Sequence, residues 1–148
     1  MRWWTMPEGL SVAPDGTWRV GELPVQHATT LRWLKSRLVF DDDGAFVTDG
    51  RRRLPVRVEG PPFVVTRLRL EAASGSAYAR LDDGSEEALG DRALSLDAAT
   101  GAFDCAVRGG RTRARLSRAA HQQLLEAVDE QGDGFVLCVG PRRLALRT

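Results

Sequence analysis

Arg111, Arg113 and Arg115 alternate with Thr112, Ala114 and Leu116 in a segment of strand character, which puts three guanidinium groups on one face. Arg118 follows where a helix is predicted to start, and free backbone N–H groups at that end also favour anions. Planar guanidinium forks bind carboxylate or phosphate through paired, charge-assisted hydrogen bonds. The plainer reading of these residues is a solvated arginine face paired with nearby acids, Asp104 being on the neighbouring predicted strand. Such surface pairs are far commoner than anion sites.

Other reactive side chains are sparse. His27 and His121 are the only histidines and fall at corresponding places near the starts of two predicted helices. Pairing either with Cys105 or Asp104 would make a nucleophile and base, but no nucleophile elbow, metal-ligand spacing or glycine-rich phosphate loop accompanies them. His121 shares a helix side with Leu124, Leu125 and Val128 and is expected to pack against the core. Asp41-Asp42-Asp43-Gly44 lacks the sixth-position glycine and closing glutamate of a calcium loop, so a solvated turn is expected. Gly109-Gly110 has hairpin chemistry. Trp3, Trp4, Trp18 and Trp33 are expected in packing, not as a base-stacking platform. No catalytic residue, metal site or cofactor is expected.

These groups must be positioned by a chain of 148 residues, enough for one ordinary domain or two small halves. At 43% hydrophobic and 28% charged it has the composition of a soluble globular protein. No apolar run approaches a membrane span, and Met1–Leu10 lacks a signal-peptide core. Cys105 and Cys138 lie outside any CxxC spacing and are expected as reduced thiols in a cytoplasmic protein. The net charge of +1 argues against the basic footprint of most nucleic-acid binders. The charge is unevenly spread: Arg51–Arg69 and Arg108–Arg118 are arginine-rich, and the stretch between them is acidic.

The pattern predicts an α+β fold, mainly antiparallel, with two helices. A hairpin is predicted over Thr17–Val20 and Leu23–Val25, followed by a helix over Ala28–Leu38 and strands at Ala45–Thr48 and Leu54–Val58. Glu59-Gly60-Pro61-Pro62 breaks the alternation and marks a boundary between an N-terminal half (1–60) and a C-terminal half (61–148). The second half reads as an antiparallel meander from Phe63, a helix capped by Ser117, and a closing hairpin over Phe135–Val139 and Arg143–Arg147. Part of the first half is written again. Leu34, Leu38, Asp43-Gly44, Gly50 and Arg52-Arg53-Leu54 recur 90 positions on as Leu124, Val128, Asp133-Gly134, Gly140 and Arg142-Arg143-Leu144. Phe46-Val47 matches Phe135-Val136 at a spacing of 89. A duplicated helix-plus-hairpin unit follows. Its expected core includes Leu34, Leu38, Val56, Val58, Leu116, Leu124, Leu125 and Val128.

Asp15-Gly16-Thr17-Trp18, Gly21, the Leu31–Leu38 helix, Asp43-Gly44, Val47-Thr48, Val58-Glu59-Gly60-Pro61-Pro62-Phe63, Arg108, Ala114-Arg115-Leu116 and Arg118 follow one another in the order of a bacterial family. Over nearly its whole length the chain resembles the domain of unknown function 1285 family. The resemblance implies two related halves, the second superficially pleckstrin-homology-like, with a nucleotide-like ligand at their interface and a role in signalling. Two family patterns are altered: a Thr-Pro-x-Glu stretch reads Thr48-Asp49-Gly50-Arg51, and a Glu-Asp-x-Pro-Phe stretch reads Glu59-Gly60-Pro61-Pro62-Phe63. Each has lost a carboxylate.

Three functional readings compete. The first is a non-catalytic module that holds an anionic, nucleotide-like small molecule through Arg113, Arg115, Arg118, Glu59 and Phe63 and reports it to a signalling partner. The second is a nucleic-acid binder using Arg51–Arg53, Arg111–Arg118 and Arg142-Arg143. The third is an enzyme, for which the sequence offers no coherent set of groups. The first is preferred, with no membrane partner.

Overall fold

The computed structural model describes residues 9–97 and 99–148; Trp3 and Trp4 lie outside them. The chain divides into two compact units that meet in sequence between Phe63 and Val64.

The first unit runs β1 (Leu10–Val12), β2 (Trp18–Val20), β3 (Leu23–Pro24), α1 (Ala28–Ser36), β4 (Leu38–Asp41), β5 (Gly44–Thr48) and β6 (Arg53–Val58). All six strands form one sheet in the order β3-β2-β1-β6-β5-β4. Every pairing is antiparallel except β1 with β6, which is parallel and puts Ser11 beside Arg57. Leu10, Val12, Trp18, Val47 and Val56 alternate onto the buried face, and Leu34 of α1 is fully buried. His27 caps α1 by accepting the Thr30 N–H on Nδ1.

The second unit opens with three strands of its own: β7 (Phe63–Glu71, whose first residue ends the first unit), β8 (Ser76–Leu81) and β9 (Glu86–Ala88). It continues with β10 (Leu94–Leu96), β11 (Phe103–Val107), β12 (Thr112–Leu116), α2 (Arg118–Ala127), β13 (Val128–Gln131), β14 (Gly134–Val139) and β15 (Arg142–Ala145). One sheet has the order β10-β11-β12-β7-β8-β9, and β13-β14-β15 form another. A parallel bridge from Ser95 to Arg147 carries the line of β15 alongside β10.

This bridge reveals that the duplication is larger than a helix and a hairpin. Both units contain three strands, a helix and a three-stranded meander, and in both the first strand lies parallel to the line of the last. Ser11 beside Arg57 is repeated as Ser95 beside Arg147. The meanders share one register: Leu38 faces Val47 and Val128 faces Leu137, Val47 faces Leu54 and Leu137 faces Leu144. Corresponding residues are thus ninety apart without a gap, as from Leu38 to Val128 and from Leu54 to Leu144. The Phe-Val match at a spacing of 89 is accidental, since Phe46 corresponds to Val136 and Ala45 to Phe135.

Three expectations are corrected. Leu38 and Val128, expected on the helices, open β4 and β13 instead, because strand pairing takes over where each helix stops. Leu125 is 52% exposed, since Leu124 and Ala120 already fill the buried stripe of α2. Of the remaining core residues, Leu34, Leu38, Val56 and Leu124 are buried, and Val58, Leu116 and Val128 are half-buried.

Candidate functional site

In the second unit, Arg113 and Arg115 share the outer face of β12. Arg113 is already engaged. Its Nε donates to Asp104 Oδ2 at 2.8 Å, its Nη2 reaches Asp104 Oδ1, and the same Nη2 donates to Ser95 Oγ at 2.8 Å. The Asp104 carboxylate holds the guanidinium above its ordinary pKa. Asp104 stands directly opposite Arg115 in the ladder, so one acid faces both arginines. Arg118 is the exposed first residue of α2, next to Ser117, whose Oγ accepts the Ala120 N–H at 3.2 Å and donates to Thr66 O at 3.1 Å. Glu59 and Phe63 belong to the first unit: Glu59 pairs with Arg57 at 3.1 Å on the surface, and Phe63 is fully buried. Phe63 therefore packs in the core and presents no open ring face.

Arg108, at the β11–β12 turn, is ion-paired with two acids, Asp83 and Glu87. Its backbone φ is +54°, a conformation L residues adopt sparingly. The backbone N–H and Nη1 both donate to Glu87, at 2.9 and 3.0 Å, and Nη2 meets Asp83 Oδ2 at 2.5 Å. Burial opposes ionisation of Asp83, yet hydrogen bonds from Ser85 and the Arg108 guanidinium hold its carboxyl below the usual range. This cluster ties the hairpin turn to the β8–β9 turn.

Cys105 is fully buried, and burial, aided by Glu87 and Asp104, pushes its thiol up to about 12. It is a neutral packing group at pH 7, not a nucleophile. His121 packs its ring edge-to-face on Phe103 at 5.2 Å. Its counterpart in the first copy is Leu31, and His27 corresponds to the cap Ser117, so the two histidines do not occupy equivalent places. Asp41 accepts the Asp43 N–H and pairs with Arg53 at 2.5 Å, as expected of a turn.

The first unit holds a group that sequence reasoning missed. Across its outer face the ladder sets Arg19, Ser11 and Arg57 side by side on β2, β1 and β6. Arg19 is half-buried, and its Nε is shut off from solvent with no hydrogen-bond partner among the described residues. An unpaired buried donor on a cation costs about 1–3 kcal/mol or more. Beside this row lies an open depression of about 430 Å³ lined by Gly9, Ser11, Gly21, Asp43, Pro55 and Arg57, among others. Gly9 and Gly21 adjoin through a 3.0 Å backbone hydrogen bond, and with Pro55 they make a flat floor free of long side chains. In the second unit Asp104 stands at the place of Arg19, so the equivalent face is neutralised from within. Arg19 alternates with Trp18 and Val20 like any strand residue. Only the long-range parallel pairing of β1 with β6 brings it into line with Arg57.

Among the described residues, no helix is long and apolar enough to cross a membrane. No family model matches the chain. No curated protein matches it either. Two solved structures are similar. One is a DUF1285 family protein from Silicibacter pomeroyi DSS-3, 22% identical, with a TM-score of 0.71 over 94% of this chain and 79% of that one. Another is a DUF1285 family protein from Shewanella baltica OS155, 14% identical, with a TM-score of 0.59 over 79% of this chain and 90% of that one. The resemblance carried by the motifs is thus matched in three dimensions, and the chain has the fold of DUF1285 family proteins.

Proposed function

We propose that this protein is a non-catalytic module that binds an anionic, nucleotide-like small molecule on the first unit, at the row Arg19–Ser11–Arg57. The observation that carries the reading is the ladder row itself, which sets two guanidinium groups on either side of Ser11 where the second unit has Asp104 in place of Arg19. Strand spacing puts the Cα atoms of Arg19 and Arg57 roughly 10 Å apart, so both forks can reach one phosphate above the small Ser11 side chain, Arg57 exchanging its solvent-exposed pair with Glu59 for the ligand. The Gly9, Gly21 and Pro55 floor suits a flat ring. Asp43 on the rim is an acceptor for ligand hydroxyl groups, which favours a nucleotide over bare phosphate.

Arg113, Arg115 and Arg118 make the weaker site, because Asp104 already takes the Arg113 fork and faces Arg115. The nucleic-acid reading is weakened in the same way: Arg53 pairs with Asp41, and Arg113 with Asp104. Calorimetry with inorganic phosphate, AMP and ATP tests the proposal on wild type, Arg19→Ala, Arg57→Ala and Arg115→Ala. AMP or ATP is expected to bind more tightly than phosphate. Losing Arg19 or Arg57 should weaken that binding roughly ten- to hundredfold, by about 1.5–3 kcal/mol, and Arg115→Ala should change it little. Absence of binding by all three probes, or equal loss on Arg115→Ala, would overturn the assignment.

A further inference from the structure

We infer that the outer face of β7 and β8 is a docking surface for an acidic segment of a partner protein. The argument starts from a bulge. Val65 faces Leu81 across the ladder, whereas Arg67 faces Arg80, so β7 carries one residue more than β8 between these two pairs. Without that residue Arg67 would follow Val65 onto the buried face. The bulge turns Arg67 outward instead, while Leu68, opposite Ala79, stays buried. Two side chains fix the extra residue. Thr66 Oγ1 donates to Arg80 C=O at 3.2 Å, and Ser117 Oγ donates to Thr66 C=O at 3.1 Å.

What the bulge presents is a like-charged pair. Residues directly opposite on antiparallel strands hold their Cβ atoms about 4.5–5.5 Å apart, and two cations set there repel. Arg67 and Arg80 are both exposed, and neither guanidinium has an ion-pair or hydrogen-bond partner among the described residues. The acid nearest in register is already taken. Glu86 stands opposite Arg80 on β9, but its two oxygens accept from Arg69, at 3.2 Å from Nε and 2.6 Å from Nη2. Arg69 also pairs with Glu71 and lies over the Tyr78 ring at 4.0 Å, which holds it in place. Carboxylates brought from outside would relieve the Arg67–Arg80 repulsion, as complementary charge does across an interface.

The surrounding charges select protein over nucleic acid. Glu71 and Glu86 border the pair, so a continuous phosphate backbone crossing the sheet would run against them. A short acidic segment can seat its carboxylates on the two forks and stop before those acids.

The probe is a fluorescein-labelled hexaglutamate peptide titrated with the full chain and followed by anisotropy, beside an oligothymidylate of the same length. Saturable, salt-sensitive binding of the peptide is expected, with the oligothymidylate binding more weakly. Arg67→Glu should weaken peptide binding at least tenfold, and Arg80→Gln several-fold. Arg67→Glu should also raise the melting temperature, because the new carboxylate faces Arg80, so the loss of binding cannot come from unfolding. Arg19→Ala should leave peptide binding unchanged. No binding at millimolar peptide, undiminished binding by Arg67→Glu, or a lower melting temperature for that variant would overturn the inference. So would tighter binding of oligothymidylate that Arg67→Glu abolishes, which would make nucleic acid the occupant.

Discussion

Arg108 offers the sharpest test of how the second unit is held together. Truncation to Ala removes the 2.5 Å contact with Asp83 and the 3.0 Å contact with Glu87, and leaves Asp83, whose side chain is 4% exposed, without its cation. Hydrogen bonds to charged groups contribute about 1.5–3 kcal/mol each, and breaking a fully buried pair costs about 3–5 kcal/mol. Arg108 itself is 24% exposed, so water repairs part of the loss, and about 2–4 kcal/mol is expected. For a chain of this length that corresponds to a fall of roughly 5–12 °C in Tm. Arg108→Gly should be less damaging than Arg108→Ala by about 1 kcal/mol, because the backbone at φ +54° suits glycine. The sign of the pH dependence follows from Asp83. Its folded pKa is lowered, so its stabilisation is present above the unfolded value near ~3.9 and is lost as pH falls through the folded value. Urea unfolding of wild type and both variants at pH 7 and pH 3 measures this. Equal midpoints at pH 7, or a wild-type advantage undiminished at pH 3, would refute the account of the cluster.

Other outcomes follow from the packing. Leu124→Ala, at a fully buried position, should cost about 2–5 kcal/mol in urea unfolding, and Leu125→Ala less than about 1 kcal/mol. Gln123 uses its amide to complete the edge of β7, donating to Leu68 C=O and accepting the Leu68 N–H, both at 2.8 Å. Gln123→Ala leaves both backbone groups unpaired and should lower stability by about 1–3 kcal/mol, with faster amide exchange at Leu68. In the folded protein at pH 8, iodoacetamide should alkylate Cys138 well before Cys105, because the Cys105 thiol is buried and pushed up to about 12. Mass spectrometry of the modified peptides reads the order.

Much of the fold is legible in local pattern. The β2–β3 hairpin, the Ser117 cap, and β7 over Phe63–Glu71 follow from turn residues, capping chemistry and alternation. The short strands β4 and β13 were hidden because Leu38 and Val128 also continue the helical spacing of Leu34 and Leu124. The full extent of the duplication was hidden too, since Trp18 and Phe103, or Arg19 and Asp104, share position without sharing chemistry. Arg113 was visible as a candidate, as was Asp104 as its neighbour, but the fork-to-carboxylate geometry needs the ladder register. Arg19 and Ser11 gave no signal, because what singles them out is a parallel pairing between segments more than forty residues apart.

The central claim is that the anion site lies on the first unit, at Arg19, Ser11 and Arg57. The most direct measurement is an amide NMR titration of the full chain with AMP, resolved residue by residue. The account predicts saturable shifts at Ser11, Arg19, Gly21 and Arg57, lost in Arg19→Ala. Shifts centred on Arg115 and Arg118 and unchanged by Arg19→Ala, or no shifts at all, would contradict it.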